Sequence, residues 1–302
     1  MVEEADSVFF TPAGPNPGDF RLWVTEEHWR ALCPELTLST TLPPNARSNG
    51  LGADAMSRAR ARMRLEGYFG EHDPELERLA PRLADAVSRL VRAGIPAPFL
   101  FVYDEAWTAF HRMSGLLADL LGPDYRVLPD FWAWHVDPAA EQAGWRPHRD
   151  KGGKALRADG TPISLTIWIP LSDSNPLNGC MYMLPANRDP AYNTPEEDKW
   201  QIDLPSVRAL PGAPGDFFCW NQAVLHWGAR SSRFGEKPRI SMAMEFQRAD
   251  EAPFNQPLIA PLTALPFAAR IRLIAKQIVQ YQHMYPLSPE VAAFARAVLG
   301  AS

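Results

Sequence analysis

The chain has 302 residues, of which 46% are hydrophobic and 22% charged, so it can bury a full core like an ordinary globular protein. A net charge of -5 without a basic stripe argues against nucleic acid as a partner. No run of about 18 uncharged apolar residues and no basic, apolar leader occur, so no membrane partner is expected and the cytoplasm is the expected location. Three scattered cysteines, Cys33, Cys180 and Cys219, fit a reducing compartment rather than a disulfide framework.

The first part of the chain, 1–122, is predicted to be a mainly helical support. Short helix signals occur at 25–31, where Thr25 could cap. A stronger pattern covers 73–94, with Asp73 as N-cap, Pro74 at the first helical position and Gly94 at the end. Leucines and valines there recur at helical spacing and predict one buried face. A further helix is predicted over 104–122.

The pattern then changes to short alternating runs separated by Gly, Pro, Asn and Asp, typical of strands. Residues 164–169 and 239–246 alternate most clearly. Helical patterns return over 261–284 and 288–299. We therefore predict a mainly β fold with flanking helices: one domain over 1–302, whose jelly-roll core at 123–247 carries helices on one sheet and is followed by a helical extension at 248–302.

A candidate metal site begins at His148 and Asp150. Residues two apart on a strand project to the same side, so an imidazole and a carboxylate can meet at a strand end. His226 is a lone histidine in an apolar run 76 residues downstream. Each feature has an ordinary structural explanation, a surface turn for the first and a hydrogen-bonded core histidine for the second.

Arg239 strengthens the case for a site. It starts an alternating strand 13 residues after His226, and we expect the two residues on neighbouring antiparallel strands. Arg239, Ser241 and Ala243 share one face of this strand. An arginine pointing into a barrel needs an anion, and its planar fork suits a carboxylate. The alternatives are that Arg239 faces solvent or pairs with a protein carboxylate such as Glu245.

Two histidines and one carboxylate on one face of a metal are typical of iron(II) oxygenases. Zinc is the alternative, although structural zinc prefers four ligands and catalytic zinc three histidines or two with a glutamate. A predicted anion site beside the metal favours a chelating oxo acid.

The segment from Asp130 to Phe246 resembles the phytanoyl-CoA dioxygenase family of iron(II)/2-oxoglutarate-dependent oxygenases. The resemblance rests on motifs in matching order, and these are His148-Arg149-Asp150, the run 165–171, Asn178-Gly179-Cys180-Met181 with Pro185, Pro214-Gly215-Asp216-Phe217, His226 and Arg239-Ile240-Ser241. It implies a double-stranded β-helix, which is a jelly-roll barrel.

The resemblance also implies the cofactors and site residues. Iron(II) would be held by His148, Asp150 and His226, and 2-oxoglutarate and O2 would be co-substrates. Arg239 would pair with the distal carboxylate of 2-oxoglutarate with help from Ser241. Thr166 and Trp168 would line the co-substrate pocket, although both also suit a core.

With Asp150 present, the resemblance favours hydroxylation, or a desaturation or ring-forming variant, because related halogenases replace this carboxylate with a small residue. The substrate is expected to be a small molecule with an anionic or apolar part. Lys151 and Lys154 could receive an anionic group or lie in a solvated loop.

Aromatic residues near the motif, Trp132, Trp134 and Trp145, could wall an apolar substrate or belong to the core. His135 is not expected as a fourth ligand. Two other classes stay open: a zinc or nickel barrel enzyme such as an isomerase or hydrolase, and a non-catalytic ligand-binding barrel.

Overall fold

The computed structural model describes residues 18–48, 50–285 and 287–300. Eight strands are found in these ranges, and they are β1 (Tyr68–His72), β2 (Arg126–Val136), β3 (Ser164–Pro170), β4 (Met181–Leu184), β5 (Arg208–Leu210), β6 (Asp216–Asn221), β7 (Leu225–Gly228) and β8 (Arg239–Gln247). They form a five-stranded sheet in the order β1-β6-β3-β8-β2 and a three-stranded sheet in the order β5-β4-β7. All pairings within these sheets are antiparallel.

Strand alternation separates two cores on opposite faces of the five-stranded sheet. On β8, Ile240, Met242 and Met244 join the helices in one large apolar cluster. Ala243 on the same strand joins a second cluster with side chains of the three-stranded sheet, such as Met183. The second cluster lies between the sheets, so the predicted jelly roll with helices on one sheet is confirmed.

Helices flank the strands on both sides along the chain. In the described ranges they are α1 (Glu26–Leu32), α2 (Ala53–Glu66), α3 (Pro74–Arg92), α4 (Asp104–His111), α5 (Ser114–Leu121), α6 (Phe267–Tyr281) and α7 (Pro289–Gly300). No helix in the described part of the chain is long and apolar enough to cross a bilayer. The large cluster includes residues from Trp23 to Ala295. That shared core supports one domain over 1–302, which stays a prediction.

The predicted caps of α3 are confirmed. Asp73 accepts a hydrogen bond from the backbone N–H of Glu75 at 2.8 Å, and Pro74 starts the helix. Gly94 follows in the left-handed region with φ 73°, where glycine has no steric penalty. The short helix α1 is also found, but the Thr25 hydroxyl donates to the carbonyl of Leu22 and does not cap it.

Two predicted helix boundaries are wrong. The helix expected over 104–122 is two helices with a break at Arg112 and Met113; the Arg112 guanidinium there pairs with Asp73 at 3.0 Å. The helix expected from residue 261 begins at Phe267, because Pro266 disfavours the helical conformation of the residue before it.

The N-terminal region is not only helical, since β1 extends the five-stranded sheet beyond β6. The strand is five residues long, and its pattern is too short to separate from the surrounding helices. Gly70 permits this pairing, because a Cβ there would lie 2.8 Å from the Phe218 ring.

A bulge interrupts β2 opposite β8 between Val127 and Phe131. Pro129 lies in it and has no N–H to donate. The side chain of Gln277 on α6, which is fully buried, takes the place of a strand partner: it accepts from the Phe131 N–H at 3.3 Å and donates to the Pro129 carbonyl. One side chain of α6 therefore satisfies both backbone groups and fixes the helix on the bulge.

Gln277→Leu should lower the free energy of unfolding by about 2–6 kcal/mol, because a buried N–H and a buried carbonyl lose their partners at about 1–3 kcal/mol each. Urea denaturation measures this. Gln282→Leu, at the exposed C-cap residue that follows the same helix, is the matched control and should change stability by no more than about 0.5 kcal/mol. Equal stability of the two variants would contradict the bridging role.

Candidate metal centre

Two histidines are brought together by a backbone bridge between a loop and β7. His226 lies on β7, and His148 lies in the connection from β2 to β3. The His148 N–H donates to the His226 carbonyl and the His226 N–H to the His148 carbonyl, both at 3.0 Å. We expected His148 to lie at the end of a strand, and it instead forms a single antiparallel bridge outside the named strands. It places the two rings 4.4 Å apart, and Asp150 follows two residues later.

The three side chains converge on one point. The ligand atoms of His148, Asp150 and His226 all lie within 4.8 Å of one another. Asp150 Oδ1 lies 3.4 Å from His148 Nε2 and 3.5 Å from His226 Nε2. His148 Nε2 is buried and has no hydrogen-bond partner among the described residues. A donor set of two imidazoles and one carboxylate fits a divalent metal ion.

Backbone carbonyls orient both imidazoles. His148 Nδ1 donates to the carbonyl of Arg146 at 2.6 Å, and His226 Nδ1 donates to that of Val224 at 3.0 Å. With the proton on Nδ1, each Nε2 presents a lone pair to the shared point.

The carboxylate of Asp150 is held from its other oxygen. Oδ2 accepts hydrogen bonds from Thr166 Oγ1 at 2.7 Å and from Trp220 Nε1 at 3.1 Å. Gln222 Nε2 donates in turn to Thr166 Oγ1 at 3.0 Å, which directs the threonine proton to Asp150. Oδ1 is left to face the two histidines.

Burial and charge set the protonation of these groups. Burial raises the pKa of Asp150, but the neighbouring His226 and His148 outweigh it and bring that pKa well below its ordinary value. Burial lowers the pKa of His226 to about 4. Near pH 7 the site thus offers a carboxylate and a neutral imidazole, the forms that bind metals.

Arg239 lies in the same interior but on the other sheet. His226 is on β7 of the three-stranded sheet and Arg239 on β8 of the five-stranded sheet, so the expectation of neighbouring strands is wrong. The connection between them crosses from one sheet to the other. At its start the Ala229 N–H donates to the carbonyl of Cys180, the residue before β4. At its end the Ile240 N–H donates to the hydroxyl of Ser172, which follows β3.

Arg239 is 1% exposed, and only part of its guanidinium has hydrogen-bond partners. Nη1 donates to the Ser241 hydroxyl, while Nε and Nη2 have no acceptor among the described residues. Its carbon Cζ lies 5.9 Å from the centroid of the Trp168 ring. Burial lowers the pKa of Arg239 to about 10, which leaves it charged at pH 7. The proposed alternatives of solvent or Glu245 as partner are not found.

Two glycines make room for this guanidinium. A Cβ on Gly144 would lie 2.8 Å from Gly228 Cα and 2.9 Å from Arg239 Nη2, and a Cβ on Gly228 would lie 2.7 Å from Gly144 Cα. Any larger residue at either position would push the facing backbone apart and fill the space beside the unpaired N–H groups.

One cavity between the sheets contains most of the predicted residues. His148, Asp150, His226, Arg239 and Trp168 line it, and Thr166 does so as well. Ser241 does not line it and contacts Arg239 instead. Trp132, Trp134 and Trp145 line the cavity and also pack in the core between the sheets, so they belong to the core, and their contact with a substrate stays a prediction.

The lysines after the motif differ from each other. Lys154 is exposed, as expected for a solvated loop. Lys151 is not, because its side chain is 16% exposed and its Nζ lies 2.9 Å from Glu245 Oε2. Burial opposes its charge, but Glu245 and Asp130 outweigh burial and raise the Lys151 pKa above its ordinary value. His135 lies outside both the converging triad and the cavity lining.

The lining residues that were not predicted include Trp220, Asp130, Glu245 and Tyr281. Alternation on β8 does place Glu245 on the Arg239 face, so that residue had a usable signal. Asp130 enters the cavity through an unpredicted bulge and Tyr281 through the docking of α6. Neither has a local sequence signal.

Solved structures share the fold. The chain superposes on a non-heme monooxygenase, the ThoJ–Ni complex, with a TM-score of 0.52 and 17% identity, over 74% of this chain and 97% of that one. EctD from S. alaskensis with bound Fe gives a TM-score of 0.50 and 16% identity, over 76% of this chain and 95% of that one. No curated protein matches the chain at a significant level.

The family comparison covers more than half of the chain. The model of phytanoyl-CoA dioxygenase (PhyH) matches residues 49–234. It thus begins well before Asp130, where the motif resemblance starts, and it includes all three converging side chains but neither Arg239 nor α6. With the motif order, the double-stranded fold and this match in agreement, the chain belongs to the phytanoyl-CoA dioxygenase (PhyH) family.

Proposed function

We propose that this protein is an iron(II)- and 2-oxoglutarate-dependent oxygenase acting on a small molecule. The observation that carries the proposal is one cavity lined both by the converging His148, Asp150 and His226 and by Arg239 with two unsatisfied N–H groups. A buried arginine without an anion is costly, and a dicarboxylic oxo acid would supply that anion while its other end reaches the metal.

Each residue has a proposed part. His148, Asp150 and His226 hold iron(II) on one face. Arg239 binds the distal carboxylate of 2-oxoglutarate, and Ser241 fixes the guanidinium by accepting from Nη1. Bound iron, 2-oxoglutarate and O2 supply the oxidising chemistry, with succinate and CO2 as by-products.

Thr166 and Trp168 have different roles in this proposal. The Trp168 ring lies beside the guanidinium and lines the co-substrate space. The Thr166 hydroxyl donates its hydrogen bond to Asp150, so Thr166 positions a metal ligand and does not bind 2-oxoglutarate. Retention of Asp150 supports hydroxylation as the reaction, because the carboxylate occupies the position that a halide would need.

Iron(II) and 2-oxoglutarate added without oxygen should produce the weak visible charge-transfer band of the chelate, and oxygen should then release succinate. His226→Ala should lose both, because the site loses one of three protein ligands. His283→Ala, an exposed histidine on the chain after α6, should keep both. Absence of the band in the natural protein would reject the iron proposal and favour a zinc or nickel enzyme.

Arg239→Lys should weaken 2-oxoglutarate binding by about 10- to 100-fold, because an ammonium cannot make the two parallel bonds of a guanidinium. Titration of the chelate band with 2-oxoglutarate measures the Kd. The exposed Arg233→Lys serves as the control and should bind like the natural protein. An unchanged Kd in Arg239→Lys would place the distal carboxylate elsewhere.

Thr166→Val should lower iron(II) affinity by about 10- to 100-fold, since Asp150 loses the donor that orients it while the side-chain shape is kept. Competition with a metal chelator measures this affinity. Thr161→Val removes an exposed hydroxyl that bonds only to Asp159 in the described structure, and iron binding should be unaffected. If Thr166→Val changed 2-oxoglutarate affinity and not iron affinity, the sequence-based assignment of Thr166 would be restored.

A further inference from the structure

The cavity has two ends along β8. Arg239 and Glu245 are six residues apart on the same face of this strand, which corresponds to about 20 Å at 3.3–3.4 Å per residue. Thr166, which holds the ligand Asp150, pairs with Glu245 in the β3–β8 register. The proposed function assigns the Arg239 end to 2-oxoglutarate, so the Glu245 end is left for the substrate.

Two buried carboxylates line this second end. Asp130 is 1% exposed and lies in the β2 bulge, beside the β8 segment that contains Glu245. Its oxygens accept hydrogen bonds from Asn255, Gln280 and Tyr281, all neutral donors. No lysine, arginine or histidine in the described ranges forms an ion pair with it.

Glu245 is the second carboxylate, 7% exposed. It pairs with Lys151, yet that lysine does not line the cavity, and neither does Lys276. The positive charges near Asp130 and Glu245 therefore belong to residues that do not line the cavity. The surface that a substrate meets at this end presents side-chain oxygens of Asp130 and Glu245, which accept hydrogen bonds, and the Asp130 carboxylate, which forms no ion pair in the described part of the chain, repels anions.

Aromatic rings form the adjoining wall. The Tyr281 ring lies 4.6 Å from Trp145 and 5.6 Å from Trp132, measured between centroids, and Trp145 lies 5.7 Å from the His148 ring. These rings contact one another and form one aromatic wall of the cavity. Such a wall takes the apolar body of a ligand.

We infer that the substrate lies against the wall of Tyr281, Trp132 and Trp145 and directs a hydrogen-bond donor, an amine or a hydroxyl group, to Asp130 and Glu245. This inference rests on the proposed function, which assigns the other end of the cavity. It replaces the expectation that Lys151 receives an anionic group, because Glu245 already neutralises that lysine.

Helix α6 contributes residues to this end of the cavity. Tyr281 is the last residue of α6, and Gln280 beside it also donates to Asp130. The family match ends at residue 234, so α6 lies beyond it. The inference thus makes α6 a part of the substrate site, held in place by Gln277 on the β2 bulge.

The test uses three probes with the same ring and different end groups: benzylamine, benzyl alcohol and benzoate. The full chain is loaded without oxygen with iron(II) and saturating 2-oxoglutarate, and the chelate band is recorded to establish the proposed function. Probe dissociation constants are then measured by ligand-observed NMR. Either donor probe should bind at least about tenfold more tightly than benzoate, because benzoate has no donor for Asp130 and Glu245 and would be repelled by the Asp130 carboxylate.

The order of the donor probes identifies the group: tighter benzylamine indicates an amine substrate, and tighter benzyl alcohol a hydroxyl. Asp130→Asn and, as a second variant, Glu245→Gln should reduce the preference over benzoate. Tyr182→Phe, a change on β4 at a ring that stacks on Trp227 and does not line the cavity, should leave it unchanged. Equal binding of all three probes, tighter benzoate, or no binding of either donor probe would overturn the inference. In each case an intact chelate band would leave the proposed function standing.

Discussion

The paired backbone hydrogen bonds between His148 and His226 are the contact on which the site depends. They join the loop after β2 to a strand of the smaller sheet, and they do so at the two residues whose rings must meet. Since backbone geometry sets this spacing, the rings approach each other before any metal contributes energy. Asp150 follows from the same loop, and its orientation needs only the donors Thr166 and Trp220 from the larger sheet. The candidate metal centre is therefore built across the gap between the two sheets.

The fold separates what stabilises the protein from what performs its chemistry. The outer face of the five-stranded sheet packs on helices in a large apolar cluster, and this burial supplies most of the hydrophobic stabilisation. The inner face can then contain groups that are costly to bury, such as Arg239 and Glu245. Alternation along β8 is what allows one strand to serve both layers. Gly144 and Gly228 keep space for the guanidinium where the loop after β2 approaches β7.

Helix α6 links stability to the substrate side of the cavity. Gln277 repairs the interrupted pairing at the β2 bulge, and the same bulge turns Asp130 toward Tyr281. A bulge changes the direction of a side chain and removes hydrogen bonds between the paired strands. Here the Gln277 side chain on α6 supplies hydrogen bonds in their place. Changes in α6 should thus alter stability and substrate recognition together.

Much of this protein could be predicted from local sequence patterns. The helix caps at Asp73 and Gly94, the strands around Trp168 and Arg239, and the division of β8 into two faces depend on neighbours in the chain, so they were readable in advance. The metal triad was also recognised, because its residues carry ordered motifs around them.

Tertiary structure alone decided the rest. It placed His226 and Arg239 on opposite sheets, added β1 to the larger sheet, paired Lys151 with Glu245, and brought Asp130 and Tyr281 into the cavity. Those outcomes depend on contacts between residues far apart in sequence, on a bulge and on the docking of a helix, and no local periodicity records such contacts.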